Sequence, residues 1–290
     1  GQTAALLELA GQLKSGDRRI DLGNRVLGLI FTKASTRTRV SFQVAMARLG
    51  GQTVDLNPQV TQLGRGEPLE DTARVLSRFC DVLAVRTFAQ QELADYAYWA
   101  TIPVINALTD LEHPCQALAD FLTMREAFGD LRGQTLTYVG DGNNVAHSLM
   151  LCGALLGVNV RIGCPEGFEP LPGVLEQARS LAVGGAQITV TSDPAEAARG
   201  AQALYTDVWA SMGQEQEQAE RERAFQGFCL NEELLAEADS RAIVLHCLPA
   251  HRGEEISAGV MEGPASRIFD QAENRLHAQQ ALLAALLGGL

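Results

Sequence analysis

Residues 135–164 read TLTYVGDGNNVAHSLMLCGALLGVNVRIGC, and the fold class follows from this stretch. An apolar, β-branched run over 135–141 gives way to the polar turn Gly140-Asp141-Gly142-Asn143-Asn144. A helical pattern then covers 143–156, and a second strand-like run, NVRIGC, occupies 159–164. Strand, turn, helix and strand in this order describe a parallel β-α-β unit. The turn sits where a dinucleotide loop would, but position 145, where the third glycine of GxGxxG would fall, is Val. The amides of Asn143 and Asn144 suit a polar small molecule better than a pyrophosphate.

The same rhythm extends in both directions. Upstream strand-like runs are RVLGLIF (25–31), QTVDL (52–56), DVLAVRT (81–87) and PVINA (103–107); downstream ones are QITVT (187–191), ALYTDV (203–208) and AIVLHCL (242–248). Helical patterns at 36–49, 69–79, 90–99, 172–183 and 231–238 separate them, and a longer one lies near 114–128. The alternation predicts an α/β protein of two domains, each a parallel sheet flanked by helices, joined by long helices. The boundary is expected at 125/126, with 1–125 and 126–270 as the two domains. The Ala- and Leu-rich stretch 271–288 reads as one helix, and 271–290 is expected to pack back on the first domain. The acidic, Gln-rich run 214–223 reads as a solvated loop or helix.

Length and charge narrow the function classes. A chain of 290 residues with 46% hydrophobic residues has the material for two cores. A net charge of −12 disfavours nucleic acid and anionic membranes as partners, although a local arginine cluster can still draw an anionic substrate. The six cysteines (80, 115, 152, 164, 229, 247) form no CxxC pair, which predicts reduced thiols in the cytoplasm. The longest uncharged stretch, Gly142–Val160, carries Asn143, Asn144, His147 and Ser148 and is no membrane span. No signal-peptide pattern opens the chain, and a first residue of Gly rather than Met leads to the expectation of a true start that is missing or processed.

Five segments carry candidate chemistry. In Phe31-Thr32-Lys33-Ala34-Ser35-Thr36-Arg37-Thr38-Arg39, three hydroxyls, two arginines and a lysine crowd into residues 33–39 at a strand-to-helix junction. A helix N-terminus with Ser35, Thr36 and Thr38 favours an anion, and the Arg37 fork can pair two phosphate oxygens. Arg86 closes a strand, at the end of a parallel sheet where ligands bind. His113-Pro114-Cys115-Gln116 opens a helix with Pro at its first position. There His113 and Gln116 serve either as ligand donors or as a capping arrangement, and the motif alone leaves both open. Asp207-Val208-Trp209-Ala210-Ser211-Met212-Gly213 offers a carboxylate for a cationic amine and a serine for a carboxylate; its alternative is a plain turn at Gly213. Cys247, in His246-Cys247-Leu248-Pro249, is a nucleophile, a hydrogen-bonding thiol or core packing. His246, Cys247 and His251 lack zinc-site spacing, so no metal is expected.

Taken together, FTKASTRTR (31–39), HPCQALAD (113–120), YVGDGNN (138–144), DVWASMG (207–213) and HCLPAHRGEEI (246–256) resemble, in this order, the ornithine carbamoyltransferases. The first motif and HPxQ are shared by carbamoyltransferases generally; DxxxSMG and HCLP are the more specific, HPLPR being expected in the aspartate branch. The resemblance runs from about residue 4 to the C-terminus. It implies transfer of a carbamoyl group from carbamoyl phosphate to the δ-amine of L-ornithine, giving citrulline and phosphate, without cofactor or metal. Residues 1–125 would then bind carbamoyl phosphate and 126–270 ornithine. Ser35, Thr36, Arg37 and Thr38 would hold the phosphate, and Arg86 would bridge phosphate and carbonyl oxygen. His113 would donate to that oxygen. Gln116 and the backbone around Leu248 would hold the carbamoyl amide, with Arg275 against the carbamoyl moiety. Asn144, Asp207, Ser211 and Met212 would hold the amino-acid end, and Cys247 would lie beside the amine. Arg86, His113 and Cys247 are thus the implied catalytic residues. Gln62 would reach a neighbouring subunit's site, implying a homotrimer or a multiple of it.

The usual lead-in before the first helix is absent, leaving ALLELAGQLK, which bears on that helix's packing and not on the site. Three other readings compete. One is a sister transferase acting on putrescine or N-acetylornithine, against which Asp207 with SMG favours a free α-amino acid. Another is a non-catalytic anion-binding module, disfavoured because every catalytic position is filled. The third, a nucleotide-dependent oxidoreductase, is weakened by Val145.

Overall fold

The computed structural model describes residues 1–57, 66–210 and 218–288. The chain divides into an N-terminal unit, Gln2–Ala119 with Asn274–Leu290, and a central unit, Asp120–Glu273.

The N-terminal unit runs α1 (Gln2–Ser15), β1 (Val26–Phe31), α2 (Thr36–Arg48), β2 (Gln52–Leu56), α3 (Leu69–Leu76), β3 (Val82–Arg86), α4 (Gln90–Trp99) and β4 (Val104–Leu108). It also holds the first turns of α5 (Pro114–Phe128). The four strands are parallel in the order β2-β1-β3-β4. Strands β1 and β3 are buried along nearly their whole length, which is why both read as unbroken apolar runs rather than alternating ones. Ile30, Leu83 and Val85 pack on Ala73, Leu93 and Tyr96 from the helices. The N-terminal helix buries Leu7, Leu9 and Ala10, and Lys14 Nζ donates to Asn274 Oδ1 at 2.8 Å.

The central unit continues from α5 through β5 (Thr135–Val139), α6 (Asn144–Leu156), β6 (Asn159–Gly163), α7 (Pro172–Leu181), β7 (Ile188–Thr191), α8 (Pro194–Ala198), β8 (Ala203–Thr206), α9 (Gln218–Ala224), α10 (Glu232–Ala236), β9 (Ile243–His246) and α11 (Ala258–Met261). It ends with the first residues of α12 (Ile268–Leu286). Its five strands are parallel, ordered β7-β6-β5-β8-β9. Asn143 caps α6 by accepting from the N–H groups of Val145 and Ala146, and Gly157 ends that helix at φ 75°. Val139, Leu204, Phe225, Leu230, Val244, Ile256 and Ile268 form the core below the strand ends. Both crossings between the units fall inside helices, at 119/120 in α5 and 273/274 in α12.

Strand order reverses direction between β1 and β3 in one sheet and between β5 and β8 in the other. The crevices that bind ligands in open parallel sheets lie at such points, beyond the carboxyl ends of the strands. The segments there are 32–35 and 87–89 in one unit, 140–143 and 207–210 in the other.

Two sequence expectations need correction. The last strand ends at His246, not at 248, because Leu248 stands at φ 60°, a left-handed conformation no strand contains. Within the polar run 214–223, Arg221 is 7% exposed, so its side chain is not part of a solvated face. Among the described residues, no helix is long and apolar enough to cross a membrane.

Candidate active site

In the N-terminal unit, Ser35 caps α2 and accepts from the Thr38 N–H at 3.3 Å. A capping hydroxyl keeps its own proton to donate, beside N–H groups that favour an anion. Arg37 and Thr36 are exposed in this first turn, while Thr38 is buried. Arg39, by contrast, pairs with Asp55 and lies over the Phe31 ring, so it is occupied away from the capping turn. Arg86 is the last residue of β3, where the register against β4 shifts between Val85 and Arg86. Irregularities of this kind re-aim a side chain next to a site. The Arg86 carbonyl accepts from the Thr32 N–H at 2.9 Å, tying the two crevice segments together.

Arg275, two turns into α12, is 3% exposed. It donates to Gln116 Oε1 at 2.6 Å and to Thr38 Oγ1 at 3.2 Å. One atom of the HPCQ motif is thereby placed: the Gln116 carbonyl oxygen accepts from a guanidinium. Burial, then the cations of Arg275, Arg86 and Arg37, hold the His113 pKa well below its ordinary value. His113 is therefore a neutral imidazole, able to donate from one nitrogen. Burial and Arg86 also lower the pKa of Lys33, whose ammonium lies 3.8 Å from the centre of the Phe88 ring.

In the central unit, Asp207 follows β8 and is 6% exposed. Its Oδ2 accepts from Asn143 Nδ2 at 3.2 Å, and its Oδ1 accepts from Cys247 Sγ at 2.9 Å and from the Val208 N–H at 2.8 Å. Burial and the adjacent Asp207 carboxylate push the Cys247 thiol well above its ordinary pKa. The sulfur is a thiol that donates, not a thiolate nucleophile. Asn144 is the first residue of α6, half-buried beside the Asn143 cap.

The residues behind Cys247 set its position. His246 Nδ1 accepts from the Leu248 N–H at 2.8 Å, and His246 Nε2 lies 3.0 Å from Glu255 Oε1. A backbone N–H can only donate, so Nδ1 is unprotonated and the ring proton sits on Nε2, donated to Glu255. The His246 N–H in turn donates to Gln271 Oε1, whose amide donates to Asp120. This network holds Leu248 in its left-handed conformation, worth about 1–3 kcal/mol of strain for such a residue. The Leu248–Pro249 peptide bond is cis. Metal-ligating atoms of Asp207, His246 and Cys247 lie within 4.8 Å of one another, as do those of His251, Glu254 and Glu255. In the first set the thiol, carboxylate and imidazole are already committed to the hydrogen bonds just described.

Residues 1–126 match the family description "Aspartate/ornithine carbamoyltransferase, carbamoyl-P binding domain", and residues 132–286 match its "Asp/Orn binding domain". The chain belongs to the aspartate/ornithine carbamoyltransferase family. It is 86% identical to an ornithine carbamoyltransferase of Parasynechococcus marenigrum (strain WH8102), over 100% of this chain and 91% of the relative. The solved ornithine carbamoyltransferase of Gloeobacter violaceus is 58% identical with a TM-score of 0.91, covering 99% of this chain and 94% of that one. That of Pyrococcus furiosus is 48% identical with a TM-score of 0.95, covering 100% and 94%.

Against this family background, the structure brings Ser35, Thr36, Arg37, Thr38, Arg86, His113, Gln116 and Arg275 into the N-terminal unit. Asn144, Asp207, Cys247 and Leu248 lie in the central unit. Gln62, Ser211 and Met212 lie outside the described residues. Sequence reasoning weighed His246 only as a metal ligand and passed over Glu255. The signal available was a His directly before the cysteine and a Glu nine positions on, in a segment otherwise rich in turn residues.

Proposed function

We propose that the chain transfers the carbamoyl group of carbamoyl phosphate to the δ-amine of L-ornithine, giving L-citrulline and phosphate. The observation that carries the reading is the buried Asp207 carboxylate with the Cys247 thiol 2.9 Å away. A carboxylate and a proton-bearing thiol suit the cationic and amine groups of a diamino acid, whereas an aspartate substrate would ask for cations there. The family match and the relatives named ornithine carbamoyltransferase support ornithine as the acceptor.

In this reading residues 1–125, with the helix 271–290, hold carbamoyl phosphate, and 126–270 hold ornithine. Ser35, Thr36, Arg37 and Thr38 bind the phosphate oxygens, and Arg86 bridges phosphate and carbonyl oxygen. Neutral His113 donates to that oxygen as it gains charge, together with Arg86. Gln116 uses the second lone pair of its carbonyl for the carbamoyl NH2, the first being taken by Arg275. The Leu248 carbonyl takes the other proton of that amide. Asn144, Asp207, Ser211 and Met212 orient the α-amino and carboxylate groups, and Cys247 donates toward or accepts from the δ-amine. The amine attacks in its neutral form. Its nitrogen bonds to the carbonyl carbon, the carbon–oxygen bond to phosphate breaks, and the departing phosphate can take the amine's proton. Orientation of two bound groups is the main requirement.

Gln62 from a neighbouring subunit completes the phosphate side in this reading, which makes the enzyme a homotrimer or a multiple of it. Six free cysteines suit a cytoplasmic setting. The test is a colorimetric citrulline assay with carbamoyl phosphate and, in separate reactions, ornithine, putrescine and N-acetylornithine. Product from either of the last two but none from ornithine overturns the proposal.

A further inference from the structure

We propose that Arg221 is a positioning residue for the amino-acid half-site, a role that rests on the ornithine reading above. The side chain arises from a charged stretch, QAERERA in α9, and is nonetheless 7% exposed. Its Nη1 donates to Asp141 Oδ2 at 2.7 Å and to the Trp209 carbonyl at 2.9 Å. The guanidinium carbon lies 5.2 Å from the centre of the Phe168 ring. These three partners belong to the segments that follow β5, β8 and β6 in turn, so one planar cation joins three strand-end turns of the central sheet.

The other joints of this corner are already made without it. The Gly142 N–H donates to the Phe168 carbonyl at 2.8 Å, and a Cβ on Gly142 would fall 2.2 Å from the Pro170 nitrogen. The turn after β5 and the segment 168–170 therefore meet backbone to backbone. Trp209 stacks on Phe225, itself on the segment one turn beyond Arg221. The Asn143–Asp207 hydrogen bond already joins the turns after β5 and β8; what Arg221 adds is a second link between them, from the Trp209 carbonyl to the Asp141 carboxylate. Trp209 stands two residues after Asp207, and Asp141 stands three before Asn144. Asp207 and Asn144, both assigned to the α-amino acid, thus lie two and three residues from the two hydrogen-bonded partners of this guanidinium.

Stability alone does not account for such a residue. Buried ion pairs are commonly replaceable by apolar side chains of similar volume at no loss, whereas the two N–H groups of one planar Nη1 hold a carboxylate and a carbonyl in the plane of the guanidinium. A lysine ammonium can also meet both acceptors from one nitrogen, but its donors are not confined to a plane and hold the two less rigidly.

The test compares wild type, Arg221→Lys and Arg221→Gln in steady-state citrulline formation, with each substrate varied in turn and the melting temperature recorded alongside. Arg221→Gln is expected to raise the KM for ornithine about tenfold or more while leaving the KM for carbamoyl phosphate within about twofold. Arg221→Lys is expected to fall between. If Arg221→Gln does not fold, the double variant Asp141→Asn/Arg221→Gln, which leaves no unpaired buried carboxylate, is read for the same selective rise. A lowered melting temperature with the ornithine KM unchanged, or equal rises in both KM values, overturns the positioning role. A wild-type chain that forms no citrulline fails the ornithine reading, and this role with it; an active wild type with an unselective variant fails this role alone.

Discussion

Acidification exposes the cost of keeping His113 neutral. In the folded chain its pKa is held well below 6.5 by burial and by the charges of Arg275, Arg86 and Arg37. Once unfolded, the imidazole regains a value near 6.5 and takes up a proton below it. The unfolded state then binds more protons than the native one, so stability falls as pH drops. The window opens at about pH 6.5 and extends down to the folded pKa, and within it each pH unit removes up to about 1.4 kcal/mol. The penalty grows from about pH 6.5 down to the folded pKa, and above about pH 7.5 it vanishes. Urea denaturation of wild type and His113→Gln at half-unit steps from pH 5 to 8 isolates it. The variant's stability curve is expected to be flatter on the acid side and parallel on the basic side. Superimposable slopes below pH 6.5 would show that His113 takes a proton freely when folded, and the neutral-donor assignment would fail.

Three further outcomes are expected. Arg37→Ala removes a charge-assisted hydrogen bond worth about 1.5–3 kcal/mol, so carbamoyl phosphate affinity in calorimetry should fall roughly 10- to 150-fold; unchanged affinity sinks the anion-site assignment. Cys247→Ser should weaken ornithine use and retain turnover, because a thiol whose pKa is pushed up by burial and Asp207 is no nucleophile; mass-spectrometric trapping of a carbamoylated Cys247 during turnover would refute this. Mixing inactive Gln62→Ala and Arg37→Ala oligomers, with subunit exchange verified, should restore some activity, since mixed interfaces create sites carrying neither lesion; no recovery rules out a site shared through Gln62.

Much of the fold was legible because parallel strands buried on both faces leave unmistakable apolar runs. VLGLIF, VLAVR and TLTYV all became central strands. AIVLHCL overran its strand because composition does not encode the left-handed Leu248, which depends on a hydrogen bond to the His246 ring. Short helices such as α8 and α11 were missed, since four or five residues carry too little periodicity to register. Within the candidate site, the hydroxyl and arginine cluster at 33–39 was visible as local density, yet Arg39's diversion to Asp55 was not. Arg275 was reached only through the family resemblance, its partners Gln116 and Thr38 lying 159 and 237 residues away in sequence. Arg221 escaped altogether, because the acidic, Gln-rich run 214–223 looks solvated until a buried carboxylate turns up in another loop.

The sequence distance between Gln116 and Arg275 also sets a schedule during synthesis. A ribosome adding roughly 5–20 residues per second delivers Arg275 about 8–30 s after Gln116, the two being 159 positions apart. The central unit is one contiguous stretch, Asp120–Glu273, and can complete its sheet within that interval. The N-terminal unit begins first and finishes last, its four strands waiting for the buried Ala278, Ala281, Leu283 and Ala284 of α12. Carbamoyl phosphate offered to a nascent chain should therefore find Ser35 and Arg37 already made but Thr38 and Gln116 without their guanidinium, so that ligand binding reports the arrival of the final helix.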